Sequence, residues 1–488
     1  MSGAFWSSRG QRIASKNILF DRSMNMAIAT VLAKRIVAMN YSDLPSDAVR
    51  WAKISFVDLL GSAFAGANEP GPRIIERVLD AGRAPGPSLL WGTDRRVSAL
   101  DAAVINGTLA HALDYDDCGD SIAGHPSVPL IPSVLALGES LGASGHDVLL
   151  AYVTGFETQA RVGRGAVMTQ FEKGWHPTAT FGVFGSAAAC SRLLKLTADQ
   201  TAVALSIAAS LAAGLKANFG TMTKPLHAGQ CSRHGLYAAL LAKEGFTANA
   251  EAIEHRQGYL ELFNGPGGYD ADKILQDWAN PLDVLKPGIG LKQYPSCGST
   301  HSAIDAMLSL RAQHKLTPDQ VASIESVTHE RALVHTSRPK PRSGLDAKFS
   351  VQYCVARALL NGEVTLTHFR DDTVSEPAVQ KILERIKARP HAHKSTGMHD
   401  HFECEMIVTT TDGKRLTIRT DHPLRGPCNL APPDKLESKF KDCAATALRP
   451  EAIGPLYDAI QSMDTLKDIR VLTRMMAAGA KARESVAA

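Results

Sequence analysis

The sequence predicts a mainly α protein, in which a large all-helical domain carries a smaller α+β domain. Three observations point there. From about Met24 to Leu285, apolar and small residues recur at helical spacing, with glycine and proline as stops and no convincing strand between them. Past Tyr294 the texture changes to β-branched runs with partial alternation. After the proline-rich Leu430-Ala-Pro-Pro433 the helical pattern resumes through Phe440, Ala444 and Leu448, then from Pro455 to Met476. The tail can therefore return to the first domain and make the α+β lobe an insertion. At 488 residues the chain has room for two unequal domains.

In chain order, residues 1–23 read as a tail. Arg9, Arg12, Lys16 and Arg22, with no acid before Asp21, give it a faint presequence composition without a secretory apolar core, and disorder is the favoured reading. Residues 24–290 form the first part of the helical domain. Within it Ser98–Ala112 is a buried helix. Ser144 opens a helix through Val148, Leu149, Tyr152 and Val153, and Thr197-Ala-Asp-Gln200 is a capping box before Val203, Ile207 and Leu211. The small residues of Gly182–Cys190 permit close helix approach. Residues 291–431 form the α+β domain, with strands expected at Ile324–Leu333, Phe402–Thr410 and Leu416–Thr420 and a hairpin turn at Asp412-Gly413. The Arg338-Pro-Lys340-Pro-Arg342 stretch and the histidine-rich His391–His401 segment read as solvated loops. Residues 432–480 are the returning helical part.

Composition narrows the function. Lys and Arg total 53 against 49 Asp and Glu, a net charge of +4, which argues against a nucleic-acid partner. No apolar run reaches the roughly 18 residues that would cross a bilayer. The eight cysteines are scattered with no CxxC pair, which fits a reducing compartment; cytoplasmic placement is expected, with the mitochondrion as the alternative.

Chemistry concentrates in His111-Ala-Leu-Asp114-Tyr-Asp116-Asp117-Cys118-Gly-Asp120 and Gly124-His125-Pro126-Ser127. Four carboxylates and two imidazoles crowd the end of a buried helix, where pKa values are tuned. His111, Asp114, Asp116, Asp117 and His125 are candidate divalent-metal ligands, but no known spacing supports that, and an acid/base site explains more. His176 precedes Pro177 and stands at a helix N-cap, beside free amides that lower its pKa and draw in anions. Lys224, with Pro225 and His227, stands at another helix start, where positive charge is unfavourable unless an anion binds. Cys297 and His301 in YPSCGSTH, and Tyr353 in KFSVQY, are weaker candidates; nothing marks Cys297 as an activated thiolate.

Five segments taken together, HALDYDDCGDSIAGHPS, GWHPTATFGVFGSAAA, NFGTMTKPLHAG, YPSCGSTH and KFSVQY, resemble in content and order the MmgE/PrpD family of 2-methylcitrate dehydratases, cis-aconitate decarboxylases and iminodisuccinate epimerases. The resemblance runs from about Met26 to Met475. It implies that the α+β domain is an inserted lid, that the protein is a homodimer without metal or organic cofactor, and that the site lies between helical domain and lid. It places site positions at Asp114, His125, His176, Lys224, His301 and Tyr353. Cys118 stands where decarboxylase members have threonine, a better donor. The expected substrate is a small polycarboxylate. Lys224 and His176 would hold its carboxylates with Cys118 and His227 nearby, His125 would move a proton at the adjacent carbon, Asp114 would tune an imidazole, and Tyr353 or His301 would help a hydroxyl leave. The expected activity is a lyase, first a 2-methylcitrate-type dehydratase, then an epimerase or a cis-aconitate-type decarboxylase; a silent polycarboxylate-binding protein is the non-enzyme alternative.

Overall fold

The computed structural model describes residues 26–79, 85–392, 403–420 and 433–482. The tail at 1–23, most of the histidine-rich segment and the boundary at 431 lie outside them. The first part is built of packed helices. The longest are Ser46–Gly66, Gly145–Arg164, Pro177–Leu193 and Thr223–Lys243, with Ala99–His111 and Ala198–Leu211 between them. Both expected helix starts form: the Thr197 hydroxyl accepts from Gln200 N in the expected capping box, and Ser144 opens its helix by accepting from Asp147 N, also within a capping box. Two short strands, β1 (Ser88–Leu89) and β2 (Arg96–Val97), pair antiparallel where the sequence suggested none. They are too short for a periodic signal to mark them.

Close packing of small residues fixes the site's geometry. A Cβ placed on Gly107 would lie 2.8 Å from the Cα of Gly229, so helices Ala99–His111 and Thr223–Lys243 cross backbone against backbone. That crossing sets His111, at the end of the first, beside Lys224, at the start of the second.

The two ends of the chain share one core. Phe440, Leu448, Leu456, Ile460, Leu472 and Met476 from the C-terminal helices belong to the same buried cluster as Phe56, Phe64, Trp91 and Tyr152. The residues from Ala303 to Val408 form a separate cluster, around helices His301–His314 and Val351–Asn361. A four-stranded sheet covers them in the order β4-β3-β5-β6: β3 (Val321–Thr328) runs parallel to β4 (Ile386–Pro390) and antiparallel to β5 (Cys404–Thr410), which pairs antiparallel with β6 (Arg415–Thr420). The β5–β6 turn contains Gly413 at φ 84°, as the Asp-Gly signal required.

Two expectations fail locally. The run Ile324–Leu333 is a strand only to Thr328. The His329 ring then caps Glu330–Thr336, a helix that opens with the good helix formers Glu330, Arg331, Ala332 and Leu333, by accepting from Arg331 N. Lys340 and Arg342 are exposed as expected, but Arg338 is only partly so: its guanidinium reaches Asp346 Oδ1 (2.5 Å) and the Phe219 carbonyl (3.1 Å), so the proline-held loop is anchored at that end. Among the described residues, no helix is long and apolar enough to cross a membrane.

Candidate active site

Helix Ala99–His111 ends where the acidic run begins, and Asp114 then takes a left-handed backbone (φ 52°). Aspartate tolerates that conformation better than most residues, and the turn sends its carboxylate back toward two lysines. Asp114 Oδ1 lies 2.8 Å from Lys224 Nζ and 3.0 Å from Lys292 Nζ, and Lys292 also donates to the Asp114 carbonyl at 2.7 Å. All three side chains are buried. Burial alone would raise the Asp114 pKa, but the two ammonium groups outweigh it and hold the carboxyl well below the usual range. The same attraction, set against its own burial, raises the Lys292 pKa.

Imidazoles complete the cluster. His111 Nδ1 lies 2.9 Å from Asp116 Oδ1, and His111 Nε2 lies 2.6 Å from Lys224 Nζ. Because an ammonium only donates, Nε2 is the acceptor and the proton sits on Nδ1, shared with Asp116. Burial, only partly offset by Asp116, pushes the His111 pKa down to about 4. His125 stands between the two carboxylates, Nε2 3.3 Å from Asp114 Oδ1 and Nδ1 3.3 Å from Asp116 Oδ2. Its backbone N–H donates to the Thr178 hydroxyl at 3.0 Å, and the preceding Gly124 lies so close that a Cβ there would meet Thr178 N at 2.9 Å. Burial, against the pull of Asp116, lowers the His125 pKa as well, so its imidazole is neutral near pH 7. Asp117 takes no part in this cluster; it accepts from Ser127 N and Oγ, and burial pushes its pKa up.

His176 is the N-cap of Pro177–Leu193, as expected, but its ring makes no capping bond. Its Nδ1 faces His227 Nδ1 at 3.2 Å, and its Nε2 is buried without a partner. Burial and then Lys224 lower its pKa.

Asp114, Cys118, His125, His176 and Lys224 line one cavity of about 110 Å³, well above the roughly 10–15 Å³ that one water needs. Its far wall comes from Cys297–Ser299, Arg331, Ala332, His335 and Phe349, so the cavity lies between the helical part and the α+β part. His227 touches it only through His176. Two candidates fall elsewhere. His301 is buried with Nε2 3.3 Å from the Ser296 carbonyl, and the Tyr353 hydroxyl donates to the His368 carbonyl (2.5 Å) and accepts from Arg357 Nε (2.9 Å). Neither lines the cavity: the Tyr353 ring packs in the α+β core, and His301 is buried behind the wall, where Lys292 and Asp114 act on it. The Cys118 and Cys297 thiols are both pushed up by burial, so neither is a ready thiolate. Lys292, Arg331 and His335 escaped the sequence reading. A signal for Lys292 did exist: so many buried acids demanded cations from elsewhere in the chain.

The four groups of His111, Asp114, Asp116 and His125 offer ligand atoms within 4.8 Å of one another, a spacing that suits a divalent ion. Lys224 and Lys292 already occupy Asp114, and Lys224 occupies the His111 nitrogen. The donors are thus neutralised by ammonium groups, and a divalent ion among them would meet both lysines at hydrogen-bond range, so the site does not fit a metal.

A family model described as the MmgE/PrpD N-terminal domain matches residues 30–271, and one described as the MmgE/PrpD C-terminal domain matches 294–454. The chain is similar to the cis-aconitate decarboxylase of Mus musculus, 30% identical over 93% of this chain and 94% of that protein, and to that of Homo sapiens, 30% over 93% and 95%. It is also similar to the mitochondrial 2-methylcitrate dehydratase of Yarrowia lipolytica, 24% identical over 70% of this chain and 68% of that protein.

Proposed function

The chain belongs to the MmgE/PrpD family, and from that premise we propose that it is a metal-independent lyase that moves a proton at the carbon next to a carboxylate of a small polycarboxylate. The observation that carries the reading is His125: a neutral imidazole on the cavity wall, with an ionised carboxylate 3.3 Å from each ring nitrogen. Such a ring takes up a proton readily once an anion lies beside it, because Asp114 and Asp116 stabilise the imidazolium. Lys224 has one N–H left after serving Asp114 and His111, and His176, whose buried Nε2 has no partner, lines the same cavity; together they hold a substrate carboxylate. Lys292 fixes the Asp114 carboxylate from behind. In this reading the α+β segment serves as the lid.

Loss of carbon dioxide is the favoured outcome, in place of the water loss that the sequence suggested. The departing carboxylate leaves its electron pair on carbon, the imidazolium of His125 delivers one proton there, and solvent restores the proton to the ring. Elimination of water needs a second acid at the leaving hydroxyl, and Tyr353 and His301, the residues expected to supply it, are not among those that line the cavity. The broader match to cis-aconitate decarboxylases supports the same choice.

The test is proton NMR of chelator-treated protein in D2O with cis-aconitate and with 2-methylcitrate, beside a His125→Ala control. Deuterium-labelled decarboxylation product from cis-aconitate, reduced about 10²- to 10⁴-fold in the variant, is the expected result. New alkene signals from 2-methylcitrate alone would make it a dehydratase. Thermal stabilisation by both compounds without turnover would make it a binding protein.

A further inference from the structure

We propose that Arg331 is the second carboxylate-holding residue of the cavity, and that Glu172 occupies the place on its guanidinium that a distal substrate carboxylate takes. The inference rests on the polycarboxylate reading above and deepens it. Charge at the reactive end is balanced: the carboxylates of Asp114 and Asp116 are matched by the ammonium groups of Lys224 and Lys292, both on Asp114, while Asp116 lies against His111, and burial keeps the imidazoles neutral. Lys224 has already given two of its N–H groups to Asp114 and His111. A molecule with two or three carboxylates therefore brings charge that this end cannot neutralise.

Among the described residues that line the cavity, the other permanent cation is Arg331. It stands on the opposite wall, on helix Glu330–Thr336, with Ala332 and His335 beside it. Its Nη2 lies 3.1 Å from Glu172 Oε1, and the side chains are 32% and 53% exposed. An exposed pair of this kind contributes little and exchanges easily, whereas a guanidinium fork takes a free carboxylate with two parallel hydrogen bonds. Glu172 follows Phe171, which lines the cavity, so the pair sits at its edge, within reach of a ligand that spans from Lys224.

A plain clasp between helices Val167–Lys173 and Glu330–Thr336 would use the same contact, and the two accounts differ in sign. Removing either half of a clasp has the same effect. Removing a competing carboxylate has the opposite effect to removing the guanidinium. The full-length protein is titrated calorimetrically with tricarballylate, an inert tricarboxylate, and assayed for turnover of cis-aconitate. Arg331→Ala should raise the Kd about tenfold or more, with the kinetic loss mainly in KM; Arg331→Lys should lose less; Glu172→Gln should lower the Kd a few-fold. Melting temperatures show that each variant is folded. A Kd within twofold of wild type for Arg331→Ala, or equal weakening by both Arg331→Ala and Glu172→Gln, overturns the proposal. Wild-type protein that neither binds tricarballylate nor turns over cis-aconitate overturns the polycarboxylate reading along with it.

Discussion

Lys292 illustrates how a residue that does not line the cavity controls the groups that do. It is fully buried, its ammonium touches both the carboxylate and the carbonyl of Asp114, and Lys439 in turn donates to the Lys292 carbonyl at 3.1 Å and to Asp58 at 2.6 Å. Lys292→Met keeps much of the volume but leaves a buried carboxylate short of a counter-charge. Breaking such a pair costs about 3–5 kcal/mol, so a drop of that order in urea unfolding is expected, together with a raised Asp114 pKa. If unfolding free energy instead changed by less than about 1 kcal/mol, Asp114 would be neutralised by Lys224 alone. The acidic run announced a site because nothing local balanced it. The identity of the balancing cations was legible only for Lys224, which sits oddly at a helix start; Lys292 lies 178 positions from Asp114 and carries no local mark. Tyr353 shows a related limit: its helical spacing marks it as a core aromatic, which it is, but the sequence does not show the face to which its hydroxyl turns.

At the scale of elements, the crossing of Ala99–His111 over Thr223–Lys243 is what brings Lys224 to His111, and it depends on the absence of side chains at Gly107 and Gly229. Gly107→Ala places a methyl 2.8 Å from the facing Cα, and backbone cannot yield there as a flexible side chain would. The helices must part, at a cost of about 1–3 kcal/mol. Activity should fall further than stability predicts, because a shift of a few tenths of an ångström stretches the 2.6 Å contact that fixes the His111 tautomer. Residual kcat/KM compared with the melting temperature of the same sample checks this. Elements closed by local chemistry were legible, as at Ser144 and Thr197, whose caps depend on residues three positions away. Helix Glu330–Thr336 was not, because its cap is a histidine ring and β3 runs almost directly into it.

For the molecule as a whole, the buried imidazoles set the response to acid. His111 is held down to about 4 and His301 to about 3, burial being the main cause for both, and His125 and His176 are lowered as well. In the unfolded chain these rings titrate near 6.5. Below that value the unfolded state binds more protons than the folded one, so the stability these rings confer is fully present above pH 6.5 and is lost as pH falls toward 4. His111 and His301 each contribute a slope of about 1.4 kcal/mol per pH unit within that window, and His125 and His176 add to it in the same direction. Asp114 and Asp116, whose folded pKa values lie below 3.8, add their own loss only at lower pH. Chemical denaturation at intervals from pH 7.5 to 4.5 should therefore show a steep decline that begins near 6.5. His301→Gln, away from the cavity, should flatten the slope by about one proton. A saturating polycarboxylate should flatten it further through His125 and His176, since an anion in the cavity raises their folded pKa values toward the unfolded one; a slope indifferent to ligand would place the anion elsewhere.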